Sequence, residues 1–297
     1  MSVNIFNNDC LIEMDNLEDN SIDLVICDLP YGVTKAEHDV IIPMNDFVTE
    51  VVRGKPTPIT LDEFLIKSFK KGNNYKESLN YFNENKEDGL WTKYHRVVKE
   101  NGAIILFSQD KFSAYLMNSN PKEHRYNLIW EKLGQPTGFL NANKMPLRSH
   151  EDILIFYKKP PTYNPQKVKG KPNNSRGSSS KPLSNNNYGS MIFVDNRETL
   201  GDMKHPKSIL SFHKPHPPVF ATQKSVELCE WLIKSYSNEG DTVLDNCMGS
   251  GTTGIACINT NRNFIGIEKN PDNYILAEKR IEQVYKSKGG NYGDIEG

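Results

Sequence analysis

The chain has 297 residues, 37% of them hydrophobic and 25% charged, with a formal net charge of −1. That is enough apolar material for one large domain and a smaller appendage, and it excludes both a disordered chain and a protein that coats nucleic acid by bulk charge. No apolar run approaches the roughly 18 residues of a membrane span, and MSVNIFNNDC has no basic stretch followed by an apolar one, so a cytoplasmic protein is expected.

Five cysteines (Cys10, Cys27, Cys229, Cys247, Cys257) lie scattered without a CxxC pair, mostly among apolar neighbours. Free, hydrophobe-like thiols are expected, with no disulfide and no metal site. Leu24 to Cys27 is a short β-branched run that predicts a buried parallel strand. It ends in Asp28-Leu29-Pro30-Tyr31-Gly32, which brings a carboxylate, a rigid turn and an aromatic ring to the carboxyl edge of a sheet, where open α/β sheets bind ligands. An ordinary Asp-x-Pro turn is the plainer reading of that pentapeptide taken alone.

Val51 to Gly89 breaks the α/β rhythm. RGKPTPIT leads into helical spacing through Leu61, Phe64, Leu65 and Phe69, which predicts an inserted lobe. Ala103 to Phe107 is a second buried strand, and strands around Asn127 to Lys132 and Asp152 to Lys158 are expected to add an antiparallel edge. Pro160 to Pro218 is rich in Pro, Ser, Asn and Gly and favours loops. From Lys158 to Lys214, nine Lys and two Arg stand against Asp195, Glu198 and Asp202, so this stretch is basic and the rest of the chain acidic. Val226, Cys229, Leu232, Ile233 and Tyr236 fall at helical spacing, with Gly240 placed to close the helix in a left-handed conformation. Thr242 to Leu244 and Phe264 to Ile267 complete the buried strands.

Residues 249 to 254, Gly-Ser-Gly-Thr-Thr-Gly, fit GxGxxG between a strand and a helix, and Glu268 ends the next strand. Glycines let a backbone approach a nucleotide, and an acidic residue at the second strand end accepts from ribose hydroxyls. Alone, the pattern also fits a dinucleotide site or a structural turn. Only 43 residues follow Gly254, too few for the βαβαβ unit a dinucleotide needs, so the rest of the sheet must lie upstream. No Lys follows the turn, which removes a phosphate-binding P-loop. Asp245 ends the preceding strand as a carboxylate close to the ligand.

DLPYG resembles the DPPY catalytic motif of amino-group DNA methyltransferases, and TVLDNCMGSGTT resembles their S-adenosylmethionine (SAM) motif. NLIWEKLGQPTGFLNANKMPLRSHEDILIFYKKPPTYNPQ is similar to the corresponding block of phage and prophage members, and ATQKSVELCEWLI to the segment before the SAM motif. Catalytic motif first and SAM motif last is the permuted order of the β class. Leu29 stands where the family has its first Pro, Asn246-Cys247 where Pro-Phe is common, and Ala221 where Pro is usual.

The resemblance implies a Rossmann-like SAM-dependent methyltransferase fold: a mostly parallel, circularly permuted seven-stranded sheet with an antiparallel edge strand and inserted lobes. Residues 1–50 and 90–159 would form the catalytic half, 51–89 an insertion, 160–218 the target-recognition region and 219–297 the SAM-binding half. It further implies methyl transfer to the N6 amino group of a flipped adenine in double-stranded DNA. Asp28 and the Leu29 carbonyl would accept the amino protons, Pro30 would stiffen the turn and Tyr31 would stack on the base. SAM would lie against Asp9 and Cys10 (adenine), Glu268 (ribose), Gly249, Gly251, Thr252 and Thr253 (turn), and Thr222 and Lys224 (methionine), with Asp28 and Asp245 also at the cofactor. Lys167, Lys169, Lys171, Arg176 and Lys181 would contact DNA. Members of the class often pair, so residues 51–89 are expected to face a second copy; a restriction endonuclease partner is not legible. N4 of cytosine is the alternative target, RNA or a protein amide less so, and a non-catalytic SAM-binding regulator is disfavoured by intact Asp28, Pro30 and Tyr31.

Overall fold

Two short strands open the chain, β1 (Val3–Phe6) and β2 (Ile22–Cys27), joined through the helical turn α1 (Cys10–Glu13). β2 is buried at every residue but Asp23, as a central parallel strand covered on both faces requires. The computed structural model describes residues 1–32, 39–52, 55–134, 136–171, 184–185, 189–190, 202–219, 222–290 and 295–296.

The lobe begins earlier than Val51. A hairpin of β3 (Phe47–Val52) and β4 (Lys55–Thr60) leads into α2 (Leu61–Lys70) and α3 (Tyr75–Asn85), and Val48, Ile59, Phe64 and Phe82 form its own small core. Thr60 and Glu63 make a reciprocal capping box at the start of α2. Next come α4 (Leu90–Val97), β5 (Val98–Ser108), α5 (Asp110–Ser119), β6 (His124–Leu133) and β7 (His150–Phe156).

Pro165–Lys207 is a separate compact unit with two minimal antiparallel ladders, β8 (Val168–Lys169) with β11 (Met203–Lys204), and β9 (Ser184–Asn185) with β10 (Gly189–Ser190). This is narrower than the expected 160–218. Asn164 is tied to the main unit by its backbone N–H bond to the Ser235 carbonyl, and β12 (Ile209–His213) is a strand of the main sheet, parallel to β6. The chain ends with α6 (Val226–Tyr236), β13 (Thr242–Asp245), α7 (Thr252–Asn259), β14 (Asn263–Ile267), α8 (Pro271–Ser287) and β15 (Ile295–Glu296). Gly240 is left-handed (φ +83°) but lies in the turn before β13; α6 itself stops at Ser237.

The main sheet runs β12-β6-β7-β5-β2-β13-β14-β1-β15. It has nine strands among the described residues, not seven, because β12 extends one edge and the two-residue β15 the other. Only β7 runs against the rest, and it lies inside the sheet between β5 and β6, not at its edge. Alternate side chains feed two cores. Leu24, Ile26 and Ile105 pack beneath α6, α7 and α8, while Val25, Cys27 and Leu106 pack beneath α4 and α5.

From β2 the chain crosses to β5 on one side; from β13 it crosses to β14 on the other. These adjacent strands are thus the switch point, where an open α/β sheet leaves a crevice at its carboxyl edge. Asp28 follows β2 there, and Asp245 ends β13.

Candidate active site

A cavity of about 770 Å³ opens at this crevice, within the range of small-molecule and cofactor sites. Of the expected site residues, Asp9, Cys10, Asp28, Leu29, Pro30, Tyr31, Thr222, Lys224, Asp245, Gly249, Thr252, Thr253 and Glu268 all line it. Gly251 does not. It sits at φ +74° as N-cap of α7, and a Cβ there would lie 2.9 Å from Ile281 and 3.1 Å from Ala277, so this glycine lets α7 and α8 pack.

Leu29 is 2% exposed and its side chain belongs to the core. The Tyr31 hydroxyl donates to Asp28 Oδ1 at 2.9 Å, and its ring stacks on Phe112 with centroids 4.7 Å apart. Lys224 Nζ donates to Asp28 Oδ2 at 2.5 Å. Both carboxylate oxygens are therefore engaged. Burial raises the Asp28 carboxyl above its ordinary value, against the pull of Lys224; burial, then the Asp28 charge, raises the Tyr31 phenol.

Lys224 is no solvated helix-start residue. It is buried, lies 3.3 Å from Glu151 Oε2 as well, and has its ammonium 5.1 Å from the centre of the Phe107 ring. Its pKa is raised, the two carboxylates outweighing desolvation. Glu151 Oε1 is in turn 2.5 Å from Lys132 Nζ, on a side chain only 5% exposed. Sequence reasoning missed Glu151 and Lys132. Because β7 runs backwards, its first residues reach the carboxyl edge where β2 and β5 end, and Glu151 pairs across to Trp130 of β6. The signal available was a carboxylate in the first turn-out of a reversed strand, legible only once the strand direction is known.

On the other side, Glu268 accepts from the backbone N–H of Gly249 (2.9 Å) and of Asn270 (2.8 Å). That leaves lone pairs for ligand hydroxyls on a carboxylate fixed at the glycine turn. Asp245 Oδ2 accepts from Thr253 Oγ1 at 2.6 Å and Oδ1 from Cys247 N–H at 3.2 Å. Burial pushes the Asp245 carboxyl up to about 7 despite these donors. Asn246, where Pro is common, accepts from the Tyr94 hydroxyl at 2.7 Å, and Cys247 gives the cavity a thiol in place of a ring. Asp9 caps α1 through Leu11 N–H and pairs with Lys269.

Lys167, Lys169 and Lys171 are exposed, and Lys169 is 3.6 Å from Asp202 within its own unit. Arg176 and Lys181 lie outside the described residues. The cysteines hold no disulfide, and no cluster with metal-ligand chemistry exists among the described residues. No described helix is long and apolar enough to cross a membrane.

A doubly wound sheet with a carboxylate-tyrosine turn and a glycine turn facing one cavity at its switch point is the architecture of an α/β protein that binds a small molecule at its carboxyl edge. The chain belongs to the N6/N4 DNA methylase family, which it matches over residues 22–279, and is thereby an amino-group DNA methyltransferase of the N6-adenine or N4-cytosine kind. M.HpaI of Haemophilus parainfluenzae, named a type II methyltransferase, is 28% identical over 287 residues, covering 91% of this chain and 71% of that one. M1.MboII of Moraxella bovis, also so named, is 28% identical over 286 residues, covering 92% and 95%. In fold, the chain is similar to M1.HpyAVI solved as a SAM complex (TM-score 0.52, 22% identity, 94% and 99% covered). It is also similar to the cytosine-N4-specific PvuII DNA methyltransferase (TM-score 0.54, 13% identity, 96% and 92% covered).

Proposed function

We propose that the chain methylates the N6 amino group of adenine in duplex DNA, using SAM as donor and taking the base flipped out of the helix. The observation that supports this most is Asp28, a carboxylate held at the floor of the switch-point cavity by Tyr31 and Lys224. The donor set fits SAM: Glu268 offers acceptors for ribose hydroxyls, and Gly249, Thr252 and Thr253 form a turn a cofactor can approach. When bound, SAM supplies an electrophilic methyl group on a sulfonium. Asp9 and Cys10, which line the cavity, are the proposed contacts of its adenine, and Thr222, which also lines it, that of its methionine part.

An exocyclic amino nitrogen is a poor nucleophile because its lone pair is delocalised into the ring. Asp28 Oδ1 and the Leu29 carbonyl, accepting the two amino protons, localise that pair and aim it, a positioning and electrostatic effect. The base takes the place of the Tyr31 hydroxyl on Oδ1, while Lys224 stays on Oδ2. On taking the methyl group from the sulfonium, the nitrogen would become cationic with both of its own protons still attached, and Asp28 is placed to take one of them. Flipping costs a few kcal/mol; stacking on Tyr31 returns about 1–3 kcal/mol.

Adenine is favoured over cytosine by the Asp that opens the DLPY turn. The basic unit carrying Lys167, Lys169 and Lys171 is the proposed DNA contact, together with Arg176 and Lys181. The names of the relatives support a modification enzyme of the restriction type. The lobe holding residues 51–89 is read as the surface for a second copy, which the mass in light scattering checks. Transfer of a labelled methyl group to duplex DNA, followed by nucleoside analysis, tests the function. N6-methyladenine is expected; label on cytosine moves the target base, and no transfer to DNA removes the reading.

A further inference from the structure

A buried row of four alternating charges crosses the catalytic edge: Lys132 on β6, Glu151 on β7, Lys224 before α6, and Asp28 after β2. The first three side chains are 5%, 13% and 9% exposed, and Asp28 is 26% exposed where the cavity meets it. The row is neutral overall, and only its Asp28 end faces the cavity to this extent. We propose that Glu151 is a positioning residue for methyl transfer, which acts through Lys224 to fix the Asp28 carboxylate and to leave that carboxylate its negative charge toward the target amino group. This rests on the reading of Asp28 above.

Lys224 touches Asp28 at 2.5 Å and Glu151 at 3.3 Å, so its ammonium is shared. Without Glu151, Lys224 would belong to Asp28 alone, and the row would carry a net positive charge beside a sulfonium and a nitrogen that becomes cationic as it is methylated. Among side chains as buried as Lys132, Glu151 and Lys224 such a charge is weakly screened. Lys132 performs the matching task for Glu151: at 2.5 Å it keeps a buried carboxylate ionised, and the Glu151 carboxyl is held below its ordinary value by Lys224 and Lys132 against desolvation. Packing alone would need an apolar group here, since burying ions is costly unless each is paired.

Among the described residues, the groups that act on Asp28 electrostatically are Lys224, Glu151 of β7 and Tyr31 of its own turn, with Asp245 at the end of β13, Cys27 of β2 and Cys229 of α6 more remote. Of these, Glu151 raises the Asp28 carboxyl and Lys224 lowers it. Removing the Glu151 charge therefore shifts the acid limb of turnover to lower pH.

The test uses the full chain, duplex DNA and labelled SAM, with Asp28→Ala as reference. Glu151→Gln is expected to lower kcat by about 10- to 100-fold with little change in KM for DNA, and to move the acid limb of the pH profile downward. Glu151→Asp, which keeps the charge, should recover much of the rate. Should Glu151→Gln fail to fold, Glu151→Gln combined with Lys132→Met leaves a neutral row in which Lys224 belongs to Asp28 alone; a smaller loss of kcat and the same downward shift of the acid limb are then expected. Wild-type kcat, or an unmoved acid limb in a folded variant, overturns the inference. If Asp28→Ala itself retains turnover, the catalytic reading fails; if Asp28→Ala is inactive while Glu151→Gln is normal, only the role of Glu151 does.

Discussion

At the scale of single residues, two carboxylates of one cavity have unlike surroundings. Asp28 is held by Lys224 and Tyr31 and Glu268 by the glycine turn, and under the proposed roles of target-base acceptor and cofactor anchor their losses should differ. Asp28→Ala is expected to reduce methyl transfer at least about 100-fold while SAM binding, read by calorimetry, stays near wild type, because the carboxylate works chiefly in the transition state. Glu268→Ala should instead weaken SAM by about 10- to 100-fold, the loss of one charge-assisted hydrogen bond of roughly 1.5–3 kcal/mol. Asp245 adds a pH signature. Its folded carboxyl is raised to about 7 by burial, so the native state holds a proton that the unfolded chain releases near 4. Its contribution to stability is full below that lower value and is lost as pH rises toward 7. Relative to Asp245→Asn, the SAM-free wild type should therefore lose stability between pH 4 and 7, by up to about 4 kcal/mol, and the difference should level off above. Thermal melts of both proteins across that range check it; a flat difference would refute the buried-acid assignment.

At the scale of elements, glycines with the same backbone sign have unlike reasons. Gly240 and Gly251 both have positive φ, but a Cβ at Gly240 meets nothing within 4 Å while one at Gly251 meets Ile281 and Ala277 of α8. Gly240→Ala should cost only the left-handed strain of about 1–2 kcal/mol, and Gly251→Ala that plus overpacking, another 1–3 kcal/mol or so. Chemical denaturation of the two variants separates them. The same contrast marks what was legible in the sequence. β2, β5, β13 and β14 declare themselves by unbroken apolar runs, and Asp28, Tyr31 and Glu268 by their place at strand ends, so half the site is local and readable. Glu151 and Lys132 are not readable, because what brings them to the cavity is the reversed direction of β7, a tertiary fact. Gly251 fits the glycine pattern, yet what sets it is helix packing, which sequence spacing does not separate from ligand contact. β12 was hidden in a polar, Pro-rich stretch whose composition favours loops.

At the scale of the whole molecule, charge is divided between units. The chain is nearly neutral, yet its basic stretch falls largely in the unit Pro165–Lys207, and the unit containing the cavity carries the excess acid. A duplex is a dense line of phosphates, so the basic unit is the one proposed to meet it. Lysines that meet phosphates release condensed counterions, and affinity then falls linearly with the logarithm of salt concentration, by a slope of about 0.9 per phosphate contacted. Lys167 and Lys171 are exposed, and Lys169, 83% exposed, is held only 3.6 Å from Asp202, a weak surface pair that DNA can displace. Replacing all three lysines by Gln is expected to weaken duplex binding and lower the slope by roughly 2–3, with SAM affinity unchanged because none of them lines the cavity. Fluorescence anisotropy of a labelled duplex across a salt series measures the slope. An unchanged slope would move the phosphate contacts to the cavity unit, where the lobe of α2 and α3, with Lys67, Lys70 and Lys71 at the end of α2, is the next surface to substitute.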